Sequence, residues 1–323
     1  MARKNGSNAF SPDPDQMTLW PDISGNAING LGETAKRNPS PVYWQEQPEK
    51  IPHGVLQKWF YRRNANPAMD AMRAERQAVI DAPLADIAPY AVQHSPEEWT
   101  TAVKRAGAEN HADLTGVARM RPEWVFEGEE ARGEFIVMIG VEMDYTEMSE
   151  APELRAGVEV LKQYTRAAKA AKGLANWIRS QGHWAEPLTG PMKGKVTMIP
   201  PALVCGFGEL GKHGSIINRR FGSNFRLSAV LTDLPLTPDA PDDFGADGFC
   251  RNCRVCSDAC PPDAIFEEKQ TVRGEQKWYV DFDKCLPYFN ETYGCGICIS
   301  VCPWSRPGVT DNLLVKLARR KAP

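Results

Sequence analysis

The chain has 323 residues, with 38 Lys and Arg against 41 Asp and Glu, which gives a formal net charge of −3. This balance argues against nucleic acid as the main partner, because binding a polyanion requires an excess of positive charge. Hydrophobic residues make up 42% of the sequence and aromatic residues 9%, which is typical of a globular protein and excludes disorder of the whole chain.

Neither a membrane span nor an export signal is evident in the sequence. The longest apolar runs, such as residues 135–141, fall far short of the roughly 18 to 20 residues that cross a bilayer. The first residues, Met1 to Gly6, have a basic start but no apolar segment and no twin-arginine signal. We therefore expect a cytoplasmic location.

The first part of the chain is expected to form an arm and a helical extension. Prolines and aromatic residues are spread over residues 1–53, so long helices are excluded there and an extended arm on the body is expected. Residues 66–93 are predicted to be helical in part. The sequence Ser95-Pro96-Glu97-Glu98 combines an N-cap, a proline in the first turn and a capping glutamate, which predicts a helix to about Glu109.

The middle of the chain alternates predicted strands with one long helix. Strands are predicted over residues 114–118, 135–143, 196–199 and 227–232. Between about residues 151 and 181 apolar side chains recur at steps of three and four, which predicts a single helix that ends at Gly182. Prolines and aspartates at 235–243 predict a linker, and a terminal helix is predicted over residues 313–320.

Eight of the nine cysteines lie between Cys250 and Cys302, and the ninth is Cys205. Such clustering indicates a metal or redox site. A disulfide framework is less favoured in a chain without an export signal, because cytosolic thiols are kept reduced. Cys205 stands apart and is predicted to be a small buried side chain.

The spacing of the clustered cysteines is that of a two-cluster ferredoxin. Both runs end in C-x2-C-x3-C-P, and in such folds the last cysteine of a run ligates the neighbouring cluster. The predicted ligands of one 4Fe-4S cluster are therefore Cys250, Cys253, Cys256 and Cys302. Those of the other are Cys260, Cys285, Cys295 and Cys298. Zinc also takes four thiolates, but zinc ribbons use isolated C-x2-C pairs, so iron–sulfur clusters are favoured.

A glycine-rich segment resembles two nucleotide motifs without satisfying either. Residues 206–211 match G-x-G-x-x-G, but Pro200 and Pro201 interrupt the strand that must precede a dinucleotide fingerprint. The same segment followed by Lys212 nearly forms a phosphate-binding loop, but His213 replaces the required hydroxyl. The segment is left either as backbone that can approach a flat or anionic ligand, or as a tight helix-to-strand turn.

Taken together, the chain resembles the corrinoid iron–sulfur reductive dehalogenases over about residues 95–308. Besides the cysteines, the landmarks that carry this resemblance are Val141 to Tyr145, Tyr164-Thr165-Arg166, Gly206 to Gly214, Phe225-Arg226-Leu227 and Leu231 to Leu236. The implied fold class is α/β (α+β), with a nitroreductase-like cobalamin-binding domain followed by a two-cluster bacterial ferredoxin-like domain. The implied division is an arm and extension over 1–94, the cobalamin domain over 95–238, the ferredoxin domain over 239–308 and a tail over 309–323.

The resemblance also implies roles for individual residues. Tyr164 corresponds to the proton donor, Arg226 to the basic residue beside it, and Lys193 to a possible replacement for an asparagine of many respiratory members. The implied cobalamin contacts are Gly208, Gly211, Lys212 and His213. The chemistry agrees with these roles, because reductive dehalogenation needs two electrons and one proton, and a guanidinium beside a phenol eases release of its proton.

The implied activity is cobalamin-dependent reductive dehalogenation of a small organohalide, with electrons passed through two 4Fe-4S clusters to base-off cobalamin. No histidine has an aspartate two residues before it, so the D-x-H-x2-G motif of a protein ligand to cobalt is absent. Since the chain ends soon after Cys302, an external ferredoxin, flavodoxin or reductase is expected as electron donor. Two alternatives stay open: an epoxyqueuosine-type reductase acting on tRNA, and a corrinoid-free electron carrier.

Overall fold

The computed structural model describes residues 10–190 and 194–321, with side chains as far as residue 316. The strands are β1 (Leu114–Arg119), β2 (Phe135–Glu142), β3 (Ala185–Leu188), β4 (Glu209–Leu210), β5 (Ile216–Ile217), β6 (Phe225–Thr232), β7 (Gln270–Val272) and β8 (Glu275–Lys277). The helices are α1 (Pro14–Met17), α2 (Gly25–Asn29), α3 (Val55–Arg63), α4 (Pro67–Asp81), α5 (Pro96–Glu109), α6 (Tyr145–Met148), α7 (Leu154–Ser180), α8 (Ile199–Val204), α9 (Ala246–Asn252), α10 (Val255–Asp258), α11 (Phe282–Glu291), α12 (Ile297–Ser300) and α13 (Val309–Lys321).

A four-stranded antiparallel sheet in the order β1-β2-β6-β3 forms the centre of the body. On one face it packs against α5 and α7, where Trp99, Val137 and Leu174 share a core. On the other face Ile136 and Met138 pack with residues of α8 and of the segment that follows it. Both faces of β2 are therefore buried, which explains why its apolar residues run continuously instead of alternating with polar ones.

Helix α7 is the longest element of the body and follows from its sequence. Its small residues, such as Ala167 and Ala171, are fully buried and let the helix approach the sheet closely. The hydroxyl of Ser228 in β6 donates to the carbonyl oxygen of Ala167 at 2.8 Å, which fixes the helix on the sheet. Gly182 follows the helix with a φ of +85°, a conformation that favours glycine. The predicted helix and its end are confirmed.

Most predicted elements of the body are confirmed within one or two residues. The helix after Ser95 begins with the predicted capping box, in which Ser95 and Glu98 cap each other's backbone N–H groups. The strand predicted over 196–199 is wrong: Val196 makes an isolated bridge to Val125, and Ile199 opens α8. The prolines at 200 and 201 lie in the first turn of that helix, where a missing N–H costs nothing. Strand β3 was not predicted.

The arm contacts the C-terminal cysteine module as well as the body. Its short helices lie beside α11, and the side chain of Asn290 in α11 is the centre of the contact. Asn290 Oδ1 accepts the hydroxyl proton of Tyr43 at 2.7 Å, and its Nδ2 donates to Gln16 Oε1 at 2.7 Å. Asn64 Nδ2 donates to the Asn290 carbonyl at 2.8 Å. Since α11 carries Cys285, the arm holds one of the cysteines in place.

Glu209 in β4 joins the body to the cysteine module. Its carboxylate accepts four backbone N–H groups at 2.6–2.9 Å, those of Phe244, Gly245, Ala246 and Asp247. These groups lie at the start of α9, which carries Cys250. The first N–H groups of a helix have no partner within the helix and carry partial positive charge, so a carboxylate stabilises them.

No helix among the described residues combines the length and the apolar character needed to cross a membrane.

We predict that Glu209→Ala lowers the free energy of unfolding of the cluster-loaded protein by about 2–4 kcal/mol, because four N–H groups lose a charged acceptor. Anaerobic chemical denaturation measures this change. Glu209→Gln, which keeps one acceptor oxygen, is expected to fall between wild type and Glu209→Ala. Glu268→Ala removes an exposed carboxylate outside this contact and serves as control; equal losses for Glu209→Ala and Glu268→Ala would contradict the prediction.

Candidate functional site

The eight clustered cysteines are free thiols that fall into two adjoining groups. Burial raises the pKa of the Cys302 thiol to about 12, and the nearby thiols of Cys250, Cys256 and Cys253 raise it further. Burial likewise raises the pKa of Cys298, which is also affected by Cys295, Cys285 and Cys260, and by Cys256 of the first group. The couplings overlap at Cys256 and Cys298, and the division of the eight thiols into two ligand sets stays a prediction.

The donor chemistry of these groups suits iron–sulfur clusters. No three Cys, His, Asp or Glu side chains in the described part of the chain are arranged to hold a single metal ion. A cubane cluster is larger than one ion, so its four thiolates stand apart around it. The N–H of Ala264 donates to Cys260 Sγ at 3.4 Å, a contact of the kind that tunes cluster potentials.

Lys212 lies beside the cysteines Cys250 and Cys256. Its side chain is 1% exposed, and its Nζ lies 3.3 Å from Glu267 Oε2 and 5.2 Å from the ring centroid of Trp278. Both its backbone N–H and its charge lower the pKa of Cys250, against the larger effect of burial, which raises that pKa to about 11. A cation in this position favours the thiolate form that an iron ligand needs.

A cavity of about 1030 Å³ lies where the arm, the body and the cysteine module meet. The arm contributes residues 39–44. The body contributes apolar side chains, among them Val196, Leu203, Ile216, Phe225 and Leu227. The cysteine module contributes the hairpin of β7 and β8 and the thiols of Cys260, Cys285, Cys295 and Cys298. The cavity is at the upper end of the volume of small-molecule sites, so it suits a large ligand.

Only one of the two cysteine groups borders this cavity. Cys260, Cys285, Cys295 and Cys298 are among its lining residues, whereas Cys250, Cys253, Cys256 and Cys302 are not. We call Cys260, Cys285, Cys295 and Cys298 the inner group. Cys250, Cys253, Cys256 and Cys302 are the outer group. Cys260, from the first run of cysteines, thus lies at the cavity together with three cysteines of the second run.

Tyr164 and Arg226 line the same cavity. Tyr164 projects from α7 and Arg226 from β6, and the Arg226 Cζ lies 5.3 Å from the centroid of the Tyr164 ring. The Arg226 Nε is buried and has no hydrogen-bond partner among the described residues. The structure therefore brings together the two side chains that the sequence placed in one catalytic pair.

A second arginine, which the sequence analysis missed, lies on the Tyr164 ring. The Arg76 Cζ is 5.4 Å from the ring centroid, and its Nη2 donates to the carbonyl oxygen of Thr189 at 3.2 Å. Arg76 belongs to α4, in the helical extension outside the region of family resemblance. Neither its spacing nor its neighbours in sequence mark it, since its contact depends on how α4 packs on α7.

The implied cobalamin contacts lie in different places. His213 lines the cavity, whereas Gly208, Gly211 and Lys212 are not among its lining residues. Gly208 has a φ of +129° and lies against the carbonyl oxygen of Ile217, where a Cβ would clash. The segment is thus a helix-to-strand turn between α8 and β4, and its roles toward cobalamin stay predictions. Lys193 lies outside the described residues.

Burial keeps His213 in one protonation state. Burial lowers its pKa to about 4, so the imidazole is neutral at pH 7. Its Nδ1 accepts the N–H of Ser215 at 3.2 Å, and its Nε2 pairs with Ser223 Oγ at 3.1 Å. Both ring nitrogens are engaged, so this imidazole is not free to ligate a metal in the cavity.

Comparisons with known proteins agree with this architecture. Residues 249–305 match the family model of a 4Fe-4S dicluster domain, which confirms the prediction of two 4Fe-4S clusters. Over 220 residues, 64% of this chain, the sequence is 30% identical to the tetrachloroethene reductive dehalogenase of Desulfitobacterium hafniense. Over 261 residues, 66% of this chain, it is 30% identical to the protein of that name from Sulfurospirillum multivorans. Over about two thirds of its length, the chain is thus similar to reductive dehalogenases.

The extent of these matches differs between relatives. The chain spans 39% and 52% of the length of the two dehalogenases. The solved structure of the catabolic reductive dehalogenase NpRdhA superimposes with a TM-score of 0.76 at 22% identity, covering 95% of this chain and 47% of that one. This match confirms the mixed α and β fold. A stretch of 127 residues, 33% of this chain and 37% of the relative, is 34% identical to the epoxyqueuosine reductase of Leadbetterella byssophila.

We predict about eight irons and eight labile sulfides per chain after anaerobic reconstitution, because eight thiolates satisfy two cubane clusters. Cys260→Ala is expected to damage the cluster of the inner group, although Cys260 follows the outer group in sequence. EPR spectra of the reduced variant report which cluster is lost. Cys205→Ala, which removes a buried thiol outside both groups, is the control. Stoichiometric zinc without iron, or loss of the outer cluster in Cys260→Ala, would refute the assignment.

Proposed function

We propose that the chain catalyses cobalamin-dependent reductive removal of halogen from a small organohalide. The observation that carries this proposal is the shared cavity: Tyr164, Arg226 and the four thiols of the inner group line one continuous space. A proton donor and an electron source must both reach the reacting carbon, and here a single cavity borders both.

The residues around the cavity fit a corrinoid in several respects. Its volume and apolar wall suit a large, flat macrocycle, and the residues that would hold it are those of the body wall, such as Val196 and Leu227. His213 has both nitrogens engaged, which agrees with binding in which no protein histidine ligates cobalt. When bound, the corrinoid supplies the strongly reducing centre that no side chain supplies.

On the electron side, the contribution of the chain is the placement of its thiolates. The outer group would hold the cluster that takes electrons from an external donor such as a ferredoxin, a flavodoxin or a reductase. The inner group would hold the cluster beside the cavity. Cys298 of the inner group is close enough to Cys256 of the outer group to be affected by its charge, so the two clusters would be neighbours.

The reaction replaces halogen by hydrogen. It consumes two electrons and one proton, the carbon–halogen bond breaks, a carbon–hydrogen bond forms and a halide ion leaves. Tyr164 would donate the proton from its hydroxyl. The Arg226 guanidinium, 5.3 Å from the ring, would stabilise the phenolate that remains. The half-buried position of this pair limits solvent access, which strengthens their interaction.

The two alternatives are less well supported. An epoxyqueuosine-type reductase acting on tRNA shares a match over 33% of the chain, against 64% and 66% for the dehalogenases. Electron transfer alone does not require a large cavity lined by a tyrosine and an arginine, so a corrinoid-free electron carrier leaves this feature unexplained. Cobalt content per chain and the corrin absorption bands after reconstitution separate the carrier from both enzymes.

We predict that Tyr164→Phe lowers the rate of dehalogenation by roughly 10²- to 10⁴-fold, the loss expected for a missing general acid. Both clusters and cobalamin should stay bound, because one hydroxyl on a packed helix contributes only on the order of 1 kcal/mol. Tyr90→Phe, at a side chain 85% exposed outside the cavity, is the control. A cobalamin-loaded Tyr164→Phe variant that works at the wild-type rate would show that another group donates the proton.

A further inference from the structure

We propose that the Tyr164 end of the cavity binds an anionic group of the substrate, so that the substrate is an organohalide with a carboxylate or phenolate. This inference rests on the proposed function and adds the substrate class to it. The observation behind it is the pair of guanidiniums of Arg76 and Arg226, which flank the Tyr164 ring without a carboxylate partner among the described residues.

Arg76 lies directly behind the cavity wall. The carbonyl oxygen of Thr189 accepts a hydrogen bond from its Nη2, and the next residue, Gly190, lines the cavity. A Cβ at Gly190 would lie 2.6 Å from Arg76 Nη2. The guanidinium therefore occupies the space that a side chain at Gly190 would need, so Arg76 lies behind a residue of the cavity wall.

The charges of Arg76 and Arg226 are not balanced by the protein that the structure describes. Neither forms an ion pair with a described Asp or Glu, and the Nε of each is buried without a hydrogen-bond partner. The Arg76 side chain is half-buried, and burial lowers its pKa.

The acidic residues that line the cavity do not change this balance. Asp247 and Glu275 both belong to the cysteine module, and both already have a lysine partner. Asp247 pairs with Lys269 at 2.7 Å, and Glu275 pairs with Lys277 at 3.5 Å.

The number of positive charges beside Tyr164 determines which substrate charge would balance them. A partly buried charge without a partner is costly, so the two half-buried guanidiniums favour binding of anions. Tyr164 as a phenolate would balance only one of them. A neutral organohalide would leave the other unbalanced, whereas a substrate with its own negative charge would balance it. The planar donor groups of arginine also match the geometry of a carboxylate.

A test compares substrates that differ in charge but hardly in shape. The three monobromobenzoates and the three corresponding monobromobenzamides are offered to the protein loaded with both clusters and cobalamin, and kcat/KM is measured for each. In parallel, the dissociation constants of benzoate and benzamide are measured by equilibrium binding, which needs no turnover. We expect benzoates to be preferred in both measurements.

Arg76→Gln is expected to reduce the preference for the anion on the order of tenfold, both in kcat/KM and in binding. Arg76→Lys keeps the charge and should retain most of the preference, and it also tests the site if Arg76→Gln fails to fold. The control is Lys169→Met, which removes an exposed charge of α7 that pairs with Glu75 of α4 at 2.7 Å; its preference should be that of wild type.

Each outcome separates this inference from the proposed function. Turnover of benzamides as fast as benzoates, with equal binding, overturns the anion site and leaves the dehalogenase proposal intact. Equal losses for both substrate types in Arg76→Gln also overturn it, since Arg76 would then act only on Tyr164. Absence of debromination with every probe counts against the proposed function, while the benzoate and benzamide dissociation constants still decide on the anion site.

Discussion

The contact between Glu209 and the start of α9 is the interaction on which the functional part of the molecule depends. The cysteine module forms one wall of the cavity, so the cavity depends on how this module is held against the body. The Glu209 carboxylate contributes to this contact by accepting four N–H groups at the start of α9, which would otherwise be unpaired. Asn290 has the corresponding role on the side of the arm.

The cysteine module buries the thiols that its clusters would use. Burial raises the thiol pKa values of Cys250, Cys256, Cys285 and Cys302 to about 11 or 12, so without iron these groups remain protonated at pH 7. Iron binding must deprotonate them, and cluster assembly is therefore coupled to pH and to folding. Lys212, buried beside the outer group, acts against the effect of burial because it favours the thiolates of Cys250 and Cys256.

The two sides of the cavity differ in chemistry for a physical reason. The module side presents thiols that suit a cluster, and the body side presents the Tyr164 phenol and the Arg226 guanidinium. Electrons cross between groups without a bond, so the inner cysteines need only border the cavity. A proton must be handed over at contact distance, so Tyr164 has to be placed by rigid elements, here the long helix α7 packed on β6.

The sequence alone was sufficient wherever local spacing carries the information. The cysteine runs, the capping box at Ser95 and the apolar periodicity of α7 depend on residues close together in the chain, and each was identified correctly. The strand predicted over residues 196–199 was wrong because Val and Ile favour strands, whereas the prolines that follow start a helix.

Contacts between residues far apart in the chain were decided only by the tertiary structure. That Arg76 meets Tyr164, that Glu209 meets the N–H groups of α9, and that Cys260 faces the cavity while Cys250 does not, depend on how separate elements pack. Packing sums many weak interactions over the whole chain, and no short stretch of sequence contains that sum.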